Sequence, residues 1–178
     1  MNEEIMENPV TGETMKVLES TQETFTIEYG LRPHGEIPFE HFHPGVEQEI
    51  AVTSGEMHIT VNGEHVVIKA GESATAPKGA HHFQWNPCDE EAVAIETYRP
   101  AGRNHDFFRT LFGLARDGHT DAQGMPSIFM RAAIFSEFRD TIRPAAPGAR
   151  LLIATLAPIS RVLGHRRRIM KYARGPAT

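Results

Sequence analysis

Three histidines, His41, His43 and His82, sit among glycines and a proline at the spacing of a metal site. Imidazole is the commonest side-chain metal ligand. The first stretch runs Gly35, His41, His43, Glu47, Gln48, Glu49, Gly55; the second runs Gly71, Pro77, Gly79, His81, His82, Asn86. Two strand regions that each carry imidazole suggest a site closed from both sides. Residues two apart on a strand share a face, so His41 and His43 point together, and a histidine from a second strand makes a facial set of three. Such a set leaves room for a fourth ligand and for open coordination positions. His82 and Gln84 share a face opposite His81, Phe83 and Trp85, which places His81 away from the metal, at the surface or an interface. Glu96, on a late strand, is a candidate general base, although a solvated strand face is the commoner setting for such a residue.

The elements that must position these residues are strands. Residues 16–100 show short apolar runs broken by turn signals about every ten residues, the pattern of a sandwich or barrel. Phe25, Ile27 and Tyr29 alternate with polar residues, as do Met57, Ile59 and Val61. If Ile50 and Val52 face inward, Gln48 does too, and Glu47 and Glu49 face solvent. Asn62-Gly63 predicts a hairpin with a type I′ turn, which needs positive φ at both central residues. Phe83 and Trp85 read as core or as cover beneath helices, and His58 and His65 as exposed positions flanking the hairpin. A closed barrel of about eight strands holds only side chains or one small ligand.

Beyond residue 100 the period becomes helical. Phe107, Phe108, Leu111, Phe112, Leu114 and Ala115 fall on one stripe at spacings of three and four, expected to pack on the barrel's outer face or a partner barrel. Asn104 is the expected N-cap and Gly118 the expected stop. Pro126 predicts the first turn of a second helix. A third helix is expected from about Ala149, kinked at Pro158. The fold class read from these patterns is mainly β: a small β-barrel over residues 1–100, then about three α-helices over residues 101–178 that pack on the barrel or on a dimer partner.

The two histidine stretches resemble the paired motifs of the cupin superfamily. The first motif is G-x5-H-x-H-x3,4-E-x6-G, matched by Gly35, His41, His43 and Gly55; the second is G-x5-P-x-G-x2-H-x3-N, matched by Gly71, Pro77, Gly79, His82 and Asn86. The chain also looks like bacterial single-domain cupins that open with a segment such as Glu7-Asn8-Pro9-Val10-Thr11-Gly12-Glu13 and end in a helical extension. The resemblance implies a jelly-roll barrel (a double-stranded β-helix, RmlC-like) with a divalent metal held by His41, His43, His82 and a fourth residue. It departs from the pattern at the glutamate. Leaving four residues after His43, or six before Gly55, lands on Gln48; Glu47 fits the shorter spacing from His43 and is the alternative. Some cupins use three His and one Gln. A neutral amide leaves the site one negative charge short, which weakens hard divalent ions and leaves the metal more Lewis-acidic. Three imidazoles and an oxygen suit Zn, Fe, Ni, Mn or Cu.

Composition narrows the setting. A chain of 178 residues with 40% hydrophobic residues supports one domain with an appendage. The single cysteine, Cys88, excludes an intrachain disulfide and points to a reducing, cytoplasmic compartment. The acidic start carries no secretory signal pattern. Residues 1–100 hold 5 Lys/Arg against 18 Asp/Glu, a balance of −13, and residues 101–178 hold 13 against 5, a balance of +8. Such complementarity predicts docking of the basic part on the acidic part, within a chain or across a homodimer. A basic interfacial helix at a membrane surface is a lesser reading. With no helix-turn-helix signal and no aromatic-interleaved basic patch, nucleic acid is not an expected partner.

Two functions fit. One is a metal-dependent enzyme, a dioxygenase or an isomerase or lyase, acting on a small oxygen-rich molecule in the barrel. The other is a non-catalytic binding or sensing module whose helical tail mediates a dimer or membrane-surface contact.

Overall fold

The computed structural model describes residues 4–174. Its strands are β1 (Glu4–Glu7), β2 (Thr14–Ser20), β3 (Phe25–Leu31), β4 (His41–Phe42), β5 (Glu47–Ser54), β6 (Glu56–Val61), β7 (Glu64–Lys69), β8 (Ser73–Ala76), β9 (His82–Trp85), β10 (Ala92–Arg99) and β11 (Arg143–Pro144). Its helices are α1 (Asn104–Arg116), α2 (Ile128–Glu137), α3 (Pro147–Val162) and α4 (His165–Ala173). The strands form two antiparallel sheets, one in the order β1-β2-β3-β10-β5-β8 and the other β11-β4-β9-β6-β7. Together they make a jelly roll, so the chain is mainly β with a helical C-terminal part.

Alternation selects the inner face. Gln48, Ile50 and Val52 are buried, and so are Met57 and Ile59, Phe25 and Ile27. Their neighbours Glu47, Glu49 and Ala51 are only partly covered. The β6–β7 hairpin turns at Asn62 and Gly63, both at positive φ, with Val61 opposite Glu64. This is the backbone that the Asn-Gly pair favours. On the outward side of the second sheet, Trp85 stacks on Phe83 and on His65, while His58 donates from Nε2 to Glu56 and accepts at Nδ1 from His65 Nε2, both at 2.9 Å. Phe83 and Trp85 are therefore half-buried on the outside of the sheet and do not lie in the core.

The helical part differs in detail from its sequence expectation. Asn104 is the first helical residue; its buried amide donates to the Ala101 carbonyl at 2.9 Å, and Arg103 precedes it without a side-chain cap. Ser127 caps α2 by accepting from the Met130 amide, so Pro126 lies before the cap. The third helical stretch starts at Pro147 and passes Pro158 without ending. It breaks instead at Gly164, whose φ of 79° is left-handed, so four helices form. Gly118, at φ 72°, stops α1 as expected.

The apolar stripe of α1 does not lie on the barrel's outer face. Phe108, Leu111 and Phe112 pack against the barrel's own core, and Phe108 sits 6.1 Å from the Phe25 ring and 5.9 Å from the Tyr98 ring. Phe107 and Leu114 instead join a second core with Ile134, Phe138, Ile169 and Tyr172, which binds α1, α2 and α4 together. Glu4 of β1 accepts from both Arg109 Nε and Nη2 of α1, at 2.7 and 2.6 Å. The chain after α2 then returns to the barrel: β11 pairs with β4, setting Pro144 opposite His41. Among the described residues, no helix is long and apolar enough to cross a membrane.

Candidate metal centre

His41 and His82 converge because β4 and β9 are neighbours in register, with these two residues directly opposite. Their ring centroids are 4.3 Å apart, and those of His41–His43 and His43–His82 are 5.1 and 5.3 Å apart. One ring nitrogen from each lies within 4.8 Å of the others. Nitrogens about 2 Å from one shared ion lie at most ~4 Å from each other, so only a slight contraction is needed to bind one.

The tautomers are fixed by the backbone. His43 Nδ1 is 2.7 Å from the Thr141 carbonyl, His82 Nδ1 is 3.0 Å from the Ala80 carbonyl, and His41 Nδ1 is 3.3 Å from the Phe39 carbonyl. A carbonyl only accepts, so each Nδ1 must carry the proton and each Nε2 a lone pair. Nε2 of His43 and of His82 is buried without a partner. Burial, and then the neighbouring His82, hold His43 down to about 4. Burial likewise depresses His82, and burial with the two neighbouring imidazoles holds His41 well below the usual histidine range. All three rings are therefore neutral, the form that ligates metal.

Gln48 comes to the same place from β5. It is buried and lines the cavity with His41 and His43, whereas Glu47 is half-exposed and absent from the lining. The Gln48 Nε2 donates to Glu96 Oε2 at 3.1 Å, and its Oε1 is buried and unpartnered. Gln84 of β9 does the same, donating to Glu96 Oε1 at 2.6 Å with its own Oε1 left bare. Tyr98 completes the ring of donors by giving its hydroxyl to Glu96 Oε2 at 2.7 Å.

Glu96 is thus only 3% exposed and not on a solvated face. β10 is flanked on both sides, by β3 and β5, and Glu96 sits on its inner face. Burial pushes its carboxyl above the usual carboxylate range, against the lowering effect of the three donors. By holding both amides through their nitrogens, its carboxylate turns both amide oxygens towards unpaired positions; the oxygen and nitrogen assignments follow from this network.

His41, His43, Gln48, Gln84, Glu96 and Tyr98 line a cavity of about 230 Å³ bounded by both sheets and by the helical part. Phe107, Phe108, Leu111 and Phe112 of α1, and Ile134 and Phe135 of α2, form its apolar wall. Sequence reasoning grouped His41, His43, Gln48 and His82; the structure brings the three histidines together and sets Gln48 on the lining of the cavity that His41 and His43 also face. Sequence reasoning left out Gln84 and Tyr98 as site residues, although Gln84 shares a strand face with the motif histidine His82 and Tyr98 shares one with Glu96. It also missed the Thr141 carbonyl and the helical wall, for which the sequence carries no local signal. His81 points away, stacked on Phe42 at 5.1 Å.

A family model described as Cupin domain matches residues 27–98. The chain is also similar to an RmlC-like cupin from Shewanella frigidimarina, at 26% identity and a TM-score of 0.51 over 58% of this chain and 89% of the other. Residues 27–98 are a cupin domain, and a helical part follows it. The chain is also similar, over part of its length, to two further solved structures. A sugar phosphate isomerase from Silicibacter pomeroyi is 16% identical, with a TM-score of 0.49 over 55% of this chain and 71% of that one. KdgF from Halomonas sp. is 18% identical, with a TM-score of 0.47 over 51% and 80%. No curated protein matches the chain.

The residues of this cupin fit the divalent metal that its superfamily commonly holds. Nε2 of His43 and His82 and the Oε1 atoms of Gln48 and Gln84 are all lone-pair acceptors, buried and without a donor. Buried polar atoms are rarely left so. A cation satisfies several of them at once, which a further protein donor in that space does not.

Proposed function

We propose that this cupin is a metal-dependent enzyme that acts on a small molecule held between the barrel and helices α1 and α2. The observation that carries the reading is the cluster of bare acceptors: three imidazoles with Nδ1 tied back to carbonyls, and the Gln48 amide turned by Glu96. His41, His43, His82 and Gln48 would hold the ion. When bound, a divalent transition metal there supplies a Lewis acid that polarises an oxygen of the bound molecule.

The chain's own residues do the rest. The aromatic side chains of α1 and α2 exclude water from the molecule's apolar part, which strengthens every polar interaction inside. Glu96 acts as a positioning residue, because its oxygens are already taken by Gln48, Gln84 and Tyr98. Iron in the purified protein would favour dioxygenase chemistry, and zinc or nickel would favour an isomerase or lyase. A cytoplasmic homodimer is part of this reading, with the exposed face of α3 as the contact. Metal analysis followed by a turnover screen of small oxygenated substrates, with and without chelator, tests the proposal. Metal-dependent turnover supports it; binding of ligands without any turnover would favour a sensing module instead.

A further inference from the structure

Arg131 lies on α2 and lines the same cavity, beside Ile134 and Phe135. Its Nε is buried and has no hydrogen-bond partner. Among the described residues, no hydrogen bond or ion pair engages its guanidinium. The other charged groups around the cavity differ in this respect. Glu13 accepts from Thr11 at 2.8 Å and from Tyr29 at 3.1 Å, and Glu96 accepts from three donors. Arg32 and Glu36 are exposed. A guanidinium does not lose its proton, so partial burial without a counter-ion is paid in desolvation.

We propose that Arg131 anchors a carboxylate of the molecule that fills the cavity, which makes the ligand an organic acid with an apolar, ring-sized body. The inference rests on the small-molecule reading above and names the substrate class. The planar fork of arginine matches a carboxylate with two parallel hydrogen bonds. The wall that surrounds it, Phe39, Phe107, Phe108, Phe135, Ile134 and Met125, suits an aromatic or alicyclic body.

The test is calorimetric titration of the full-length protein, as purified, with 3-phenylpropionate and with its uncharged isostere 3-phenylpropionamide. The acid is expected to bind at least about tenfold more tightly than the amide, the worth of one charged hydrogen-bonded pair. Arg131→Gln is expected to lower acid affinity to that of the amide while leaving amide affinity and metal content unchanged. Arg131→Lys is expected to restore part of the preference, which also controls for folding. Repeating the titration after chelation separates Arg131 from a carboxylate seated on the metal. Equal affinity for acid and amide, binding of neither, or a preference that survives Arg131→Gln but vanishes on chelation overturns the proposal. Because the acid preference is read with and without metal, absence of metal in the wild-type protein would count against the metal centre and not against Arg131.

Discussion

His43 uses both ring nitrogens: Nδ1 meets the Thr141 carbonyl and Nε2 faces the cavity bare. Burial depresses its folded value to about 4 from an ordinary 6.5. A histidine depressed by folding contributes stability that is fully present above its unfolded value and is lost as pH falls through the folded one. Metal-free protein should therefore lose stability between pH 6.5 and 4, by up to about 3 kcal/mol from this group. Urea denaturation at pH 7.5 and 5 should show a smaller loss for His43→Gln than for wild type; identical losses would contradict the assignment. Around the ion, Gln48→Ala and Glu96→Gln should each weaken metal binding by about tenfold or more in chelator competition, the first by removing a ligand and the second by freeing the Gln48 amide to rotate. Gln48→Glu should strengthen it, since it restores the missing negative charge. Much of this site was legible in residues: motif spacing and strand parity placed His41, His43, Gln48 and His82. Glu96 was legible only as a candidate general base, because parity says which residues share a face but not which face is inside. Thr141 and Arg131 were illegible, since Thr141 lies 98 residues from His43 and its part is played by a backbone carbonyl that any residue supplies.

At the scale of elements, the helical part builds the wall of the cavity. Its apolar stripe was readable from spacings of three and four, but periodicity reports only that a face is buried and not what covers it. Here the cover is the barrel's own mouth on one side and α2 and α4 on the other. Gly113 permits the close approach of α1 and α4: a Cβ there would overlap the Tyr172 ring. Alanine in place of an interior helical glycine gains up to about 1 kcal/mol of helix propensity, whereas overpacking costs roughly 1–3 kcal/mol. The clash involves a buried ring whose hydroxyl donates to Asp117 at 2.8 Å, so the steric cost should win. Gly113→Ala is expected to lower stability by about 1–2 kcal/mol in urea denaturation; an unchanged or raised midpoint would show that Tyr172 moves freely.

For the whole molecule, the charge asymmetry is only partly resolved within one chain. Glu4 ties the barrel to Arg109 and His105 of α1, but Arg103 and Arg166 pair with Glu137 inside the helical part. Meanwhile α3 leaves Leu151 68% and Val162 87% exposed, with Leu152, Ile159 and Leu163 also in solvent. A contiguous apolar face of that kind marks an interaction surface. The expected cover is a second copy, and light scattering at micromolar concentration should report a dimer that Leu151→Glu with Val162→Glu converts to monomer; a monomeric wild type would remove the dimer from this account. The central claim is nonetheless the metal centre, and elemental analysis of the purified protein tests it most directly. About one divalent transition metal per chain is expected in wild type, and none in His43→Ala or His82→Ala. No metal in wild type, together with no thermal stabilisation on adding zinc, iron, nickel, manganese or copper, would contradict it.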